Sequence, residues 1–367
     1  MSDSDKTQAL SEVRVAIDTI DAEIQTLIAR RAELAQQVGI AKRDAPDNSG
    51  FYRADREAQV LRQVIERNKG PLSDEEIVRL FREIMSACLA QQAPLKIAYL
   101  GPAGTFTQSA ALKHFGHSIN DLPFATIDQV FHEVEAGDAD FGVVPIENST
   151  EGTVNHTLDL FVSSPLKICG EIEIPIEQHL LGSEGQPLES IQRICAHQQS
   201  LAQCRGWLRE HLPKGELISL SSNAAGARRA RDEAGTAAIA GEAAADVYSL
   251  KKLVSNIEDR ADNTTRFLVL GKKLLPPSGD DKTALLLSAN QSDGAGALYR
   301  LLTPLSDAGV NMSRIESRPS RRGVWDYVFF IDLDGHPDDD NVKAAVEAME
   351  PVASLCRIIG AYPRAVL

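Results

Sequence analysis

The sequence predicts a multidomain chain in which three fold classes follow one another: an all-α segment, an α/β segment and an α+β module. Three observations predict it. Residues 10–92 carry apolar positions at helical spacing and no strand pattern. From Pro94 to Lys273, short apolar runs alternate with helical patterns, the mark of sheets covered by helices. Residues 282–360 read strand, helix, strand, strand, helix, strand, an order that is ferredoxin-like. The boundaries fall at 1–93, 94–273 and 280–367.

The first helix runs from Ser11 to Lys42. Val13, Ile17, Ile20, Ile24, Leu27, Leu34 and Val38 recur at alternating spacings of four and three, which is the seam of a long packed helix. Arg43 to Gly50, with Pro46, Asn48 and Gly50, reads as a turn or loop. A second helix spans Arg53 to Asn68, and Gly70-Pro71 breaks it. Ser73-Asp74-Glu75-Glu76 is a capping box for a third, lined by Ile77, Phe81, Ile84 and Cys88. One long helix beside two short ones makes a poor monomeric core, so an intertwined homodimer, or a larger assembly built from it, is expected.

Strand-like runs follow at Lys96 to Leu100, Phe141 to Pro145, Lys167 to Ile176, Ile191 to Ala196, Thr236 to Ala240 and Arg266 to Leu270. They fit one lobe or two. Pro276 to Asp280 reads as a linker. The tail then predicts strands at 282–289, 310–317, 325–333 and 353–360, with helices at 295–308 and 338–348.

Composition narrows the function. A 367-residue chain with a 43% hydrophobic and 25% charged share fits a globular protein, and a net charge of −14 argues against nucleic acid and anionic membranes as partners. Cys88, Cys169, Cys195, Cys204 and Cys356 are odd in number and lack metal-like spacing, so a reducing cytoplasm and no metal are expected. Met1 to Gln8 carry no apolar signal core, and no run approaches the ~18 apolar residues of a membrane span.

Arg31 breaks the first seam. It stands between Leu27 and Leu34, where a large apolar residue belongs. A guanidinium there requires either an anionic ligand or an internal ion pair. Lys42 lies close to three turns further on and shares its face. Arg14 lies about 25 Å along the helix and roughly 100° round it, so it suits the pocket of an antiparallel partner helix. Arg56, Glu57 and Gln92 add a cation, a carboxylate and an amide. This set suits a small dicarboxylate and holds no nucleophile.

The segment resembles the all-helical chorismate mutases fused to prephenate dehydratase. The resemblance implies that Arg14, from the partner chain, Arg31, Lys42, Arg56, Glu57 and Gln92 form the catalytic set. Arginines would hold the carboxylates of chorismate, while lysine and amide face the ether oxygen where charge builds. Arg53 and Cys88 depart from the pattern, standing where an acidic residue and a serine can occur.

Two central stretches, Gly101 to Thr107 and Pro145-Ile146-Glu147-Asn148-Ser149-Thr150-Glu151-Gly152, follow strands, where α/β folds place ligands. Together with Ala196-His197-Gln198-Gln199-Ser200, Ser222-Asn223-Ala224-Ala225 and Thr264-Thr265-Arg266-Phe267, they resemble prephenate dehydratase over residues 96–273. That implies two lobes, related to periplasmic binding proteins, with prephenate in the cleft and no cofactor. Thr265 is expected to orient the leaving hydroxyl. Glu147 is either the acid or a structural glutamate. Arg266 either binds a carboxylate or pins its strand. Thr105, Asn148, Ser149, His197 and Ser222 complete the expected contacts, although for His197 a hydrogen-bonded structural histidine is the better reading.

In the tail, Gly294 to Leu298 precedes a helix and Glu316-Ser317-Arg318-Pro319 ends a strand. The pairing resembles the ACT regulatory domain. It implies a phenylalanine site at Gly296, Ala297, Leu298, Glu316, Ser317 and Arg318, and end-product inhibition.

Overall fold

The computed structural model describes residues 3–43, 52–289, 294–320 and 327–366. The expected turn from Arg43 to Gly50 lies, beyond Arg43, outside them.

The helical segment is α1 (Asp3–Arg43), α2 (Ala54–Arg67) and α3 (Asp74–Ala90). The Ser73 hydroxyl caps α3 by accepting from Glu76 N at 3.3 Å, as the capping box requires. Ala54, Ala58, Leu61 and Val64 of α2 and Val78 and Cys88 of α3 are buried. The α1 seam is not: Val13, Ile17, Ile20, Ile24, Leu27, Leu34 and Val38 are each 48–64% exposed. Covering seven half-exposed aliphatic side chains would contribute about 1 kcal/mol each, which a single copy of the chain leaves unrealised.

The first α/β lobe comprises β1 (Lys96–Leu100), α4 (Phe106–Phe115), β2 (Asn120–Phe124), α5 (Ile127–Ala136), β3 (Phe141–Asn148), β4 (Gly152–Thr153), α6 (Asn155–Ser163) and β5 (Lys167–Pro175). The chain then crosses to a second lobe: β6 (His179–Gly182), β7 (Arg193–His197), α7 (Gln198–Gln203), α8 (Arg205–His211), β8 (Glu216–Leu220), α9 (Asn223–Asp232), β9 (Thr236–Ala240), α10 (Glu242–Val247) and β10 (Lys251–Val254). It returns as β11 (Thr264–Gly271), which pairs between β5 and β3 of the first lobe. The two lobes are therefore joined by two crossings, with a cleft between them. The second sheet has the order β10-β6-β9-β7-β8.

The tail is β12 (Asp281–Ala289), α11 (Ala297–Asp307), β13 (Met312–Pro319), β14 (Tyr327–Asp334), α12 (Asp340–Met349) and β15 (Ala353–Pro363), the βαββαβ order expected. It is not a detached module. Its β15 pairs with β5, so one sheet runs β13-β14-β12-β15-β5-β11-β3-β1-β2 across both domains. Gly360 permits the junction: a Cβ there would lie 2.6 Å from Ile168 Cβ and 2.9 Å from its carbonyl oxygen. Ala284, Leu286, Val328, Phe330 and Tyr362 share one core with Ile146, Ile168 and Leu268. The opposite face of the tail sheet packs on α11 and α12 through Leu301, Leu305, Val342 and Met349.

The expected linker is also pinned. Ser278 is buried and donates from its hydroxyl to Asp281 at 2.6 Å, and Arg62 of α2 donates to the carbonyls of Ser278 and Asp280.

Candidate active sites

The interlobe cleft holds a cavity of about 340 Å³. It is lined by the ends of β1, β3 and β11 and by the first turns of α4, α7 and α9. Each of these helices starts at a side-chain cap. Thr105 Oγ1 accepts from Gln108 N, His197 Nδ1 from Gln199 N, and Ser222 Oγ from Ala225 N. The remaining first-turn amides and the positive ends of the dipoles face the cavity. Among its lining residues none is Asp, Glu, Lys or Arg, and His197 is the sole titratable side chain. Such a lining holds an anion through amides and hydroxyls, not through a paired cation.

At the floor, Asn148 Nδ2 donates to Thr265 Oγ1 and to Asn263 Oδ1, both at 2.8 Å. Asn148 Oδ1 accepts from the backbone of Thr150 and Glu151, each at 3.0 Å. Those two N–H groups fix the amide orientation, so Thr265 Oγ1 accepts a hydrogen bond from Asn148 and keeps its own O–H to donate into the cleft. Gln178, missed in the sequence, is almost wholly buried on the wall. Its Nε2 donates to Ser200 and Gln203, while its Oε1 has no partner among the described residues. A lone glutamine between two strands carries no sequence signal of that role.

Three expected contacts stand elsewhere. Glu147 is not in the lining: it pairs with Arg314 of β13 at 3.0 Å. Arg266 faces the same way, held by Glu171 at 2.7 Å and Asp332 at 2.8 Å. Side chains alternate along β11, so a Thr265 in the cleft turns Arg266 to the other face. Of the two readings left open for the arginine, this placement is that of pinning. Ser149 ties the loop at residue 262 to β11, donating to the Asp262 carbonyl and accepting from Thr264 N.

The helical set is partly assembled in one chain. The Gln92 side chain lies against Gly39 of α1, where any Cβ would meet its Cγ at 2.9 Å, and its buried Oε1 has no partner among the described residues. Lys42 lies one turn on. Its pKa is lowered, first by burial and then by Arg53, against the opposing pull of Asp55. Arg53 forms a two-pronged ion pair with Asp55, at 2.9 and 2.7 Å, so the departure at Arg53 comes with its own carboxylate. Glu57 is pushed up to about 7 by burial, although Arg82, at 3.7 Å, and Arg31 oppose it. Arg82 gave no signal in sequence, being one of two arginines on α3, with Arg79. Arg56 is exposed and donates to Gln59, and Arg14 is exposed far up α1.

In the tail, Gly296 takes φ of 81° and opens α11, a left-handed conformation suited to glycine. Register places Pro319, Tyr327 and the end of β12 at one end of the sheet, where this turn also begins. Leu298 and Ser317 are exposed there and Glu316 is half-buried. Arg318 is committed elsewhere, to Asp159 of α6 at 3.0 Å.

Fold and sites define a multidomain enzyme with a two-lobed α/β cleft, a helical segment bearing cations, and a ferredoxin-like module. The chain matches the chorismate mutase type II family over residues 13–93, prephenate dehydratase over 97–274 and the ACT domain over 287–351. It is 51% identical to the bifunctional chorismate mutase/prephenate dehydratase of Stutzerimonas stutzeri and 50% identical to that of Pseudomonas aeruginosa. In each case the match covers 100% of both chains. Prephenate dehydratase from Arthrobacter aurescens, solved in complex with L-Phe, superposes with a TM-score of 0.67 at 36% identity, covering 74% of this chain and 90% of that one. The chain belongs to the bifunctional chorismate mutase/prephenate dehydratase family. Among the described residues, no helix is long and apolar enough to cross a membrane.

Proposed function

We propose that the chain converts chorismate to prephenate at the helical segment and prephenate to phenylpyruvate in the cleft, as a cytoplasmic homodimer inhibited by phenylalanine. Residues 1–93, 94–273 and 280–367 are the three working units. The carrying observation is the coexistence of two unlike sites, one built from cations and one without any.

The rearrangement breaks a carbon–oxygen bond as a carbon–carbon bond forms, and it needs no base. Arg31 and an Arg14 from the partner would hold the dicarboxylate in its compact conformer. Lys42 and Gln92 would meet the charge that grows on the ether oxygen. The exposed α1 seam supports the partner's presence.

In the cleft, the electron pair of the departing ring carboxylate restores aromaticity and expels hydroxide from the opposite carbon. Carbon dioxide leaves, and the hydroxide takes one proton, drawn from solvent water, to become water. Thr265, oriented by Asn148, donates to that leaving oxygen. Its hydroxyl is too weak an acid to supply the proton outright, so it aligns and stabilises. The amides and hydroxyls of the lining would hold the side-chain carboxylate, and with no cation among the lining residues the ring carboxylate has no salt bridge to oppose its loss.

Feeding chorismate to the purified protein and analysing products, with and without phenylalanine, tests the whole reading. Prephenate and phenylpyruvate should both form. Accumulation of neither would refute catalysis, and turnover of supplied prephenate alone would reduce the helical segment to a scaffold.

A further inference from the structure

The cleft pair Asn148 and Thr265 has a second pair directly behind it. In the β3–β11 register Thr265 stands opposite Asn148 and Arg266 opposite Glu147. Side-chain alternation sends the first pair into the cleft and the second through to the opposite face. There both members meet the C-terminal domain. Arg266 Nη2 lies 2.8 Å from Asp332 of β14 and 3.2 Å from the Tyr362 hydroxyl of β15. Glu147 lies 3.0 Å from Arg314 of β13. Glu171, which also grips Arg266, takes Lys282 of β12 at 2.6 Å. The charges balance, and Arg266, Glu171 and Asp332 are 13, 3 and 10% exposed. A buried network of this kind has few alternative arrangements, because moving one partner strands another.

The strand on the far side is the one that carries the Glu316 motif. Arg314, Glu316 and Arg318 share one face of β13, and the two flanking arginines are anchored to Glu147 and Asp159 of the dehydratase lobe. A ligand engaging Glu316 therefore acts on a strand tied on both sides to the catalytic domain.

We propose that Arg266 and Glu147 are positioning residues that align the Thr265–Asn148 pair and couple it to the placement of β13 and β14. The arginine beside Thr265 serves alignment and control, not substrate binding. The alignment half stands on this geometry alone; the control half rests on the reading that phenylalanine regulates through the C-terminal domain.

The test uses the full-length protein with Asp332→Asn, Asp332→Glu and Arg314→Gln. Dehydratase kcat and KM, the phenylalanine inhibition midpoint, calorimetric phenylalanine binding and mutase rate are measured for each. Asp332→Asn should lower dehydratase kcat at least fivefold with KM within twofold. It should raise the inhibition midpoint at least tenfold while the phenylalanine Kd moves less than threefold. Mutase turnover should hold, and Asp332→Glu should recover both losses. A merely structural role would lower all activities together and would not separate binding from inhibition. If Asp332→Asn does not fold, Arg314→Gln carries the same expectations, since Glu147 is 39% exposed and water can replace its partner. Folded variants with unchanged kcat and unchanged inhibition would overturn the proposal, as would equal losses of phenylalanine binding and inhibition. Wild-type protein that neither binds nor responds to phenylalanine would instead refute the regulatory reading and with it the control half, leaving kcat to decide the alignment.

Discussion

Thr265 Oγ1 accepts a 2.8 Å hydrogen bond from Asn148 Nδ2, and the asparagine has no other hydrogen to give, because its second goes to Asn263. The threonine is thus held as an acceptor on one side and a donor on the other.

Thr265→Val keeps the shape and removes that donor. Dehydratase kcat should fall more than tenfold, or about 1.4 kcal/mol, with KM little changed. Thr265→Ser should retain most of the turnover. Mutase activity is the internal control and should persist in both. Valine protein with over a tenth of normal turnover would remove Thr265 from the mechanism.

Arg31→Ala should lower mutase turnover at least a hundredfold and leave dehydration of supplied prephenate within twofold. Arg31 lies on α1 and the cleft lies between the two lobes of the α/β segment, so the losses should separate cleanly. Steady-state assays of each half-reaction on the same preparation decide it. Near-normal mutase turnover would place the dicarboxylate site elsewhere.

How much of this was legible beforehand depended on the face each residue occupies. The α1 seam, the capping box at Ser73 and the βαββαβ tail were readable because apolar spacing is dense there. The strands Asn120–Phe124, Glu216–Leu220 and Lys251–Val254 were not, and all three lie at sheet edges. An edge strand is half solvated and needs little apolar patterning, and Pro123 even interrupts the first. For Arg266 the sequence leaves two readings open, and the acidic partners Glu171 and Asp332 that hold it lie far off in sequence, on β5 and β14. Glu147 hid likewise: its partner Arg314 is far off in sequence, and the join of β15 to β5 that brings them together leaves no local mark.

Arg14 should act in trans. It is exposed and about 25 Å along α1 from Arg31, so one chain cannot bring both to a single ligand. Arg14→Ala and Arg31→Ala chains should each lack mutase activity. Their heterodimer should regain about half the normal complement of sites, one carrying both lesions and the other neither. Mixed dimers verified by mass spectrometry yet inactive would exclude the shared site.

The last prediction concerns Glu57, whose pKa burial raises from 4.5 to about 7. A carboxyl with a raised folded-state pKa binds its proton more tightly in the native protein than in the unfolded chain. Its contribution to stability is then full below pH 4.5 and is lost as pH rises through about 7. Between pH 5.5 and 8.5 that loss amounts to about 2 kcal/mol, at roughly 1.4 kcal/mol for each unit traversed below the folded pKa. Glu57→Gln cannot ionise and should escape it. Denaturant melts followed by helical signal should show the variant gaining on the wild type as pH rises, by up to that amount between pH 5.5 and 8.5, with the difference flattening only below about pH 4.5. The difference between the proteins isolates this group from all others that titrate in both. Because Arg31 is one of the cations opposing the shift, Arg31→Ala should push the carboxyl higher still, so the divergence should continue to a higher pH and reach a larger total. Parallel pH profiles for wild type and Glu57→Gln would mean that Glu57 is solvated in the native protein and ionises in the ordinary carboxylate range.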